Sequence, residues 1–96
     1  MVTVNGRPPV PYALRDSLAQ HLADAGWITW REIPLGPAPA PQADVVAIKK
    51  SYSVRVVVYE VKASRSDFLR DVNRGKYESY LPHCHQLYFA APAGVL

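Results

Sequence analysis

The chain has 96 residues, a formal net charge of +3 and a single cysteine, and about half of its residues are hydrophobic. This length predicts one domain, residues 1–96, built around one compact core. The composition excludes the disordered and fibrous classes, and the mild charge permits a polyanionic partner without requiring one. No stretch is long and apolar enough to cross a bilayer, and the N-terminus lacks the pattern of a signal peptide. We therefore expect a cytoplasmic protein with no membrane partner.

The first predicted element is an amphipathic helix over residues 12–25. Its apolar residues recur at three- and four-residue spacing, and a glycine follows the run. These residues are Leu14, Leu18, Leu22 and Ala25. Next, "WITWREI" at 27–33 predicts a strand whose tryptophans, Trp27 and Trp30, belong to the core or cover a subunit contact. The proline-rich stretch 34–42 predicts an extended connection without strand pairing.

Residues 43–48 and 54–61 flank a short polar loop and predict an antiparallel hairpin. Ser64 and Asp67 form an S-x-x-D capping pattern before a second helix, which we expect to run through residue 81. Residues 85–91 alternate in polarity and predict a last strand. The order helix-strand-strand-strand-helix-strand predicts an α/β fold with a central sheet flanked by helices.

The hairpin carries charged residues at its open end. Because side chains two apart on a strand share a face, Glu60 and Lys62 point the same way. A loop centred on Tyr52 places Asp44 opposite Glu60 on that face. Both faces of the hairpin are otherwise apolar, so we expect one helix to cover each.

Two interpretations fit these charges. One is a small salt-bridge cluster at a strand end, with Lys62 offsetting the carboxylates. The other is a divalent-cation site, since Mg²⁺ takes oxygen ligands from one or two carboxylates and completes its shell with water and phosphate oxygens. Such a site would hydrolyse phosphodiesters, with the lysine orienting water or offsetting negative charge.

Asp44 followed by Glu60-Val61-Lys62, in this order of elements, resembles the PD-(D/E)XK nuclease superfamily and its restriction-endonuclease-like fold, with a mixed sheet. More narrowly, "YEVKASRSDFLRDVNRGKYESYLPHCHQLYFAAPAG" at 59–94 is similar to the MmcB family of bacterial DNA repair proteins. In that family an E-V-K strand precedes a helix with S-R-x-D-F and K-[WY]-x-x-Y-L-P.

The resemblance implies DNA cleavage dependent on Mg²⁺, or on Mn²⁺. It implies that Asp44, Glu60 and Lys62 are catalytic, that the two acids are metal ligands, and that the Val61 carbonyl is a further ligand. The superfamily often adds an acidic residue from the first helix. The candidates here are Asp16, Gln20 and Asp24, of which we favour Asp16 and leave Gln20 open.

Five residues on or beside the second helix have two interpretations each. Four are cations that form either a solvated face paired with nearby acids or a surface that binds DNA phosphates: Arg65, Arg70, Arg74 and Lys76. Tyr80 either packs in the core or stacks on unpaired bases.

The leading hypothesis is a metal-dependent DNA endonuclease of DNA repair, with DNA as its partner. One alternative is a DNA-binding module that keeps the fold without cutting, and another is a structural or inhibitory protein. The small sheet leaves edges exposed, and cutting both strands of a duplex needs two sites, which favours a homodimer.

Overall fold

The computed structural model describes residues 2–4, 11–50 and 53–94, which form a five-stranded mixed sheet with two α-helices. The helices are α1 (Pro11–Asp24) and α2 (Arg65–Arg74), and the strands are β1 (Val2–Val4), β2 (Ile28–Pro34), β3 (Gln42–Lys50), β4 (Val54–Val61) and β5 (Gln86–Pro92). The strand order is β1-β5-β4-β3-β2. Strands β2, β3 and β4 are antiparallel, and β5 is parallel to both β4 and β1. The predicted α/β architecture is confirmed.

The β3–β4 hairpin has the predicted register. Val45 lies opposite Tyr59 and Val46 lies opposite Val58. The same register carried one residue further places Asp44 across from Glu60. Since alternate residues point to opposite faces, the register also sorts the apolar side chains of both strands into two separate layers.

The first face of the sheet is covered by α1, as predicted. The helix places its apolar stripe on the hairpin because buried residues recur at three- and four-residue spacing. The cluster comprises Leu18, Ala19 and Leu22 of α1 with Val45, Ala47, Val57, Tyr59 and Ala90 of the sheet. Gly26, at φ 94°, ends the helix, and the Trp27 N–H donates to the Leu22 carbonyl. Trp27 then packs at the edge of this cluster.

The second face is covered by α2 at one end and by the connection that follows α2 elsewhere, so the predicted covering helix is confirmed in part. Phe68 of α2 packs on Phe89, which shares a face with Glu60. The buried cluster of this face consists of Ala43, Val46, Val58 and Tyr80. Two 3-10 helices, Lys76–Ser79 and Leu81–His83, follow α2 and bring Tyr80 against the sheet.

The second helix begins where predicted and ends earlier. The Ser64 side chain accepts a hydrogen bond from the Asp67 N–H at 3.2 Å, which caps the start of α2. The helix stops at Arg74 because Gly75 takes a left-handed conformation, φ 69°, and its N–H donates to the carbonyls of Asp71 and Val72. Glycine adopts this conformation without the steric cost that other residues incur. The prediction that the helix runs through residue 81 is therefore wrong.

The outer strands also differ from expectation. Trp30 is 41% exposed rather than in the core, and it lies on the edge strand β2. Glu32 has a positive φ of 51° and is left out of the β2–β3 pairing. Strand β1 was not predicted, since three residues carry too little pattern without their pairing to β5.

Neither of the described α-helices is long and apolar enough to span a bilayer.

We expect Gly75→Ala to lower the free energy of unfolding by roughly 1–2 kcal/mol, the cost of a left-handed conformation for a residue with a Cβ. A Cβ at this position would meet only ordinary contacts with Glu78, the nearest at 3.7 Å, so backbone strain is the cause. Urea denaturation measures the change. Asn73→Ala, on the exposed surface of α2, is the control and should stay within about 0.5 kcal/mol of wild type. Equal stability of all three proteins would contradict the prediction.

Candidate active site

Asp44 and Glu60 meet at the open end of the hairpin, where each carboxylate binds the other strand's backbone. Glu60 Oε2 accepts a hydrogen bond from the Asp44 N–H at 3.2 Å, and Asp44 Oδ2 accepts one from the Val61 N–H at 2.7 Å. Glu60 is only 2% exposed. The register thus brings the two sequence-predicted acids together in a fixed, largely dehydrated position.

The carboxylate pair is electrostatically strained. Burial, together with the adjacent Asp44 carboxylate, raises the pKa of Glu60 to about 7, while an interaction with the Tyr80 hydroxyl acts in the opposite direction. Two neighbouring negative charges are unfavourable where water is excluded. A proton on Glu60 or a bound cation would relieve this cost.

Tyr80 forms part of the floor beneath the pair and does not face solvent. Its side chain is fully buried in the second cluster, and its hydroxyl donates to the Gln42 carbonyl at 3.1 Å. Burial, together with the nearby Glu60 carboxylate, raises the pKa of Tyr80. Of the two interpretations of Tyr80, core packing is therefore confirmed, and stacking on an unpaired base, which needs an open ring face, is wrong.

Lys62 forms its ion pair with Asp71 of α2. Its Nζ lies 2.6 Å from Asp71 Oδ2 and 5.9 Å from the centre of the Phe89 ring. The described residues show no ion pair between Lys62 and either Asp44 or Glu60. The salt-bridge cluster predicted from the sequence, with Lys62 offsetting Asp44 and Glu60, therefore does not form.

Asp71 is the residue that the sequence reasoning missed. In the sequence it is one of the nearby acids that could pair with the cations of a solvated helix face. The available signal was its position three residues after Phe68 and directly before Val72, close to the apolar side of α2. A carboxylate buried on that side needs a compensating partner.

A cleft of about 280 Å³ opens between the end of β4 and α2. Its lining carries four cationic and two acidic side chains. The lining residues are Val61, Lys62, Asp67, Arg70, Asp71, Arg74 and Lys76. Three of the four cations predicted on the second helix thus line one concave surface. Arg65 is exposed at the start of α2 and is not part of that lining.

None of the three first-helix candidates, Asp16, Gln20 and Asp24, is brought to the pair. Asp16 accepts hydrogen bonds from Arg31 and Arg15, both at 2.9 Å, and these hold the pKa of Asp16 below its usual range. Gln20 donates to Asp24. Helix α1 packs on the first face of the sheet, whereas the pair lies on the second. Within the described ranges no group of three or more His, Cys, Asp or Glu side chains could hold a metal.

Comparisons with known proteins agree with the sequence resemblance. A family profile described as DNA repair protein MmcB-like matches residues 5–96. Among solved structures, the SPO1766 protein of unknown function from Silicibacter pomeroyi is similar, with 28% identity and a TM-score of 0.67. The match covers 86% of this chain and 53% of that one, so the chain spans about half of the length of its structural relative. The curated proteins gave no match.

Glu60→Gln should abolish a pH-dependent loss of stability. A folded-state pKa of about 7, above the ordinary value of 4.5, means that the folded protein binds this proton more tightly than the unfolded chain. Stability due to Glu60 is therefore full below about pH 4.5 and is lost as the pH rises to about 7. Above pH 7 we expect the variant to be more stable than wild type by roughly 1–3 kcal/mol.

Denaturation in EDTA at several pH values measures this difference. Glu78→Gln makes the same chemical change at an exposed position and should follow the wild-type curve. If the free energies of unfolding of Glu60→Gln and wild type changed in parallel between pH 4.5 and 7, the raised pKa of the Glu60 carboxyl would be ruled out.

Proposed function

Because the chain belongs to the MmcB-like family of DNA repair proteins, we propose that it is a metal-dependent nuclease that hydrolyses phosphodiester bonds in DNA. The observation that carries the proposal is the buried pair of Asp44 and Glu60 beside a cationic cleft. The PD-(D/E)XK pattern of the sequence, Asp44 with Glu60-Val61-Lys62, supports the same reaction.

The pair fits a divalent cation. Asp44 and Glu60 each use one carboxylate oxygen in a backbone hydrogen bond, which leaves a second oxygen on each for a metal. Mg²⁺ and Mn²⁺ favour such oxygen ligands, and two protein carboxylates suffice when water and phosphate complete the shell. Repulsion between the two carboxylates favours binding of a cation. The cation would replace the proton that the raised pKa of Glu60 favours.

Asp44 and Glu60 would hold the ion, and their backbone hydrogen bonds would keep both carboxylates in one orientation. A bound Mg²⁺ or Mn²⁺ would supply charge stabilisation at the scissile phosphate and would acidify water. Lys62 would add a fixed positive charge at the wall of the cleft. Because Asp16 is held by two arginines, we leave it out of the proposed ligand set.

The cationic cleft would bind the DNA backbone. Arg70, Arg74 and Lys76 lie around the same depression as Lys62, and their charges exceed those of Asp67 and Asp71. Contacts of this kind attract any sequence and weaken as salt rises. They would place a strand across the end of β4, next to Glu60.

Two features favour the non-cleaving alternative. Lys62 is paired with Asp71, and the first helix adds no acid to the carboxylate pair. A DNA-binding module would keep the cleft and lose the reaction, so binding and cleavage must be measured separately.

Purified protein should cleave labelled DNA with Mg²⁺ or Mn²⁺ and should be inactive in EDTA. Single-stranded, duplex and branched substrates rank its preference. Asp44→Asn and Glu60→Gln should abolish products while DNA binding persists, because both changes remove a metal ligand and leave the cleft intact. Asp24→Asn, on the far side of the sheet, is the matched control and should cleave as wild type does. Binding without cleavage in the wild type would favour the non-cleaving module.

DNA affinity should depend on the cations of the cleft. Arg74→Ala should weaken binding to all sequences and reduce the slope of log K against log salt concentration by about 1. Arg55→Ala, toward the opposite end of β4, removes a cation outside the cleft and should leave the slope unchanged. Fluorescence anisotropy over a salt series measures both. Equal losses in the two variants would contradict a specific role for the cleft.

A further inference from the structure

The ion pair between Lys62 and Asp71 is buried almost completely. The side chains are 12% and 2% exposed, and Nζ lies 2.6 Å from Oδ2. Neither oxygen of the Asp71 carboxylate receives a well-directed hydrogen bond from the described residues. The Lys62 ammonium is therefore the main charge that compensates this carboxylate.

Both ends of the ion pair are anchored to β5. The Lys62 N–H donates to the Ala90 carbonyl at 2.8 Å, which extends the pairing of β4 with β5 by one residue. On the helix side, Phe68 meets Phe89 edge to face with ring centres 5.0 Å apart. The Asp71 carbonyl accepts the Gly75 N–H at the end of α2. The carboxylate thus sits on a capped helix that is docked against the strand next to the lysine.

A buried ion pair is a poor source of stability, because the cost of removing two charges from water offsets their attraction. Its clear effect here is geometric. A free lysine samples many rotamers, whereas this ammonium is held between a carboxylate and the Phe89 ring. It lies on the wall of the cationic cleft, and its residue follows the proposed metal ligand Glu60 by two positions.

We propose that Asp71 is a positioning residue that holds the Lys62 ammonium at the wall of the cleft, two residues after Glu60. The inference rests on the proposed nuclease function. It assigns Lys62 the role of a fixed positive charge that faces the phosphate.

The activity test compares Asp71→Asn with wild type. We expect kcat to fall by about 10- to 100-fold, as when an orienting partner is removed, while the dissociation constant for DNA stays close to that of wild type. In a Lys62→Met background the same substitution should cause no further loss, because the group that it positions is absent. Asp24→Asn makes the same chemical change on α1 and should leave kcat unchanged.

A second measurement does not depend on cleavage. In protein labelled with ¹⁵N at lysine side chains, the buried Lys62 ammonium should exchange its protons slowly and give a detectable resonance, assigned by its loss in Lys62→Met. The resonance should disappear or shift in Asp71→Asn and persist in Asp24→Asn. If Asp71→Asn does not fold, Asp71→Glu, which displaces the charge, should shift the resonance and lower kcat.

The outcomes separate the two proposals. Absence of metal-dependent products in the wild type would defeat the nuclease proposal, and the resonance would then decide alone whether Asp71 holds Lys62. No protected resonance in the wild type, or the same resonance in the Asp71 variant, would overturn the positioning role. A normal kcat in an Asp71 variant that has lost the resonance would overturn it as well.

Discussion

The candidate site depends on the register of the β3–β4 hairpin. With Val45 opposite Tyr59, the two strands present apolar side chains to both faces and leave Asp44 and Glu60 side by side at the open end. A slip of one residue would pair Asp44 with Tyr59 or Val61 and move Glu60 to the opposite face. The two carboxylates therefore share a face only in this register, which also matches the apolar side chains of both strands to the layers that cover them.

Charge is concentrated where this sheet meets α2. One part is the pair of carboxyl groups of Asp44 and Glu60, and the other is the ion pair of Lys62 and Asp71. In the proposed function the first would bind a metal, and the second would fix the position of an ammonium group. Residue 61 lies between them and donates its N–H to Asp44. Glu60 and Lys62, two positions apart in the chain, thus connect the proposed metal site to the cationic cleft.

Sequence reasoning reached the parts that local patterns determine. Neighbouring residues determine the apolar stripe of α1, the cap at Ser64 and the register of the β3–β4 hairpin. Each of these was predicted. Long-range packing was not accessible in the same way. Burial of Tyr80 and Asp71 depends on the turn at Gly75, which ends α2 inside the stretch that was predicted to be helical through residue 81. Exposure of Trp30 depends on which strand forms the edge, and composition does not reveal that.

The pairing of β1 with β5 has a consequence for the order of folding. Every other element lies between these two strands in the chain, so their parallel pairing closes a very long loop. Closing such a loop costs more entropy than closing the short turn of the β3–β4 hairpin, and non-local pairings form slowly. We therefore expect the site to assemble in two stages. The carboxylates meet when the local hairpin forms, whereas the lysine and its partner are fixed only after the last strand has docked.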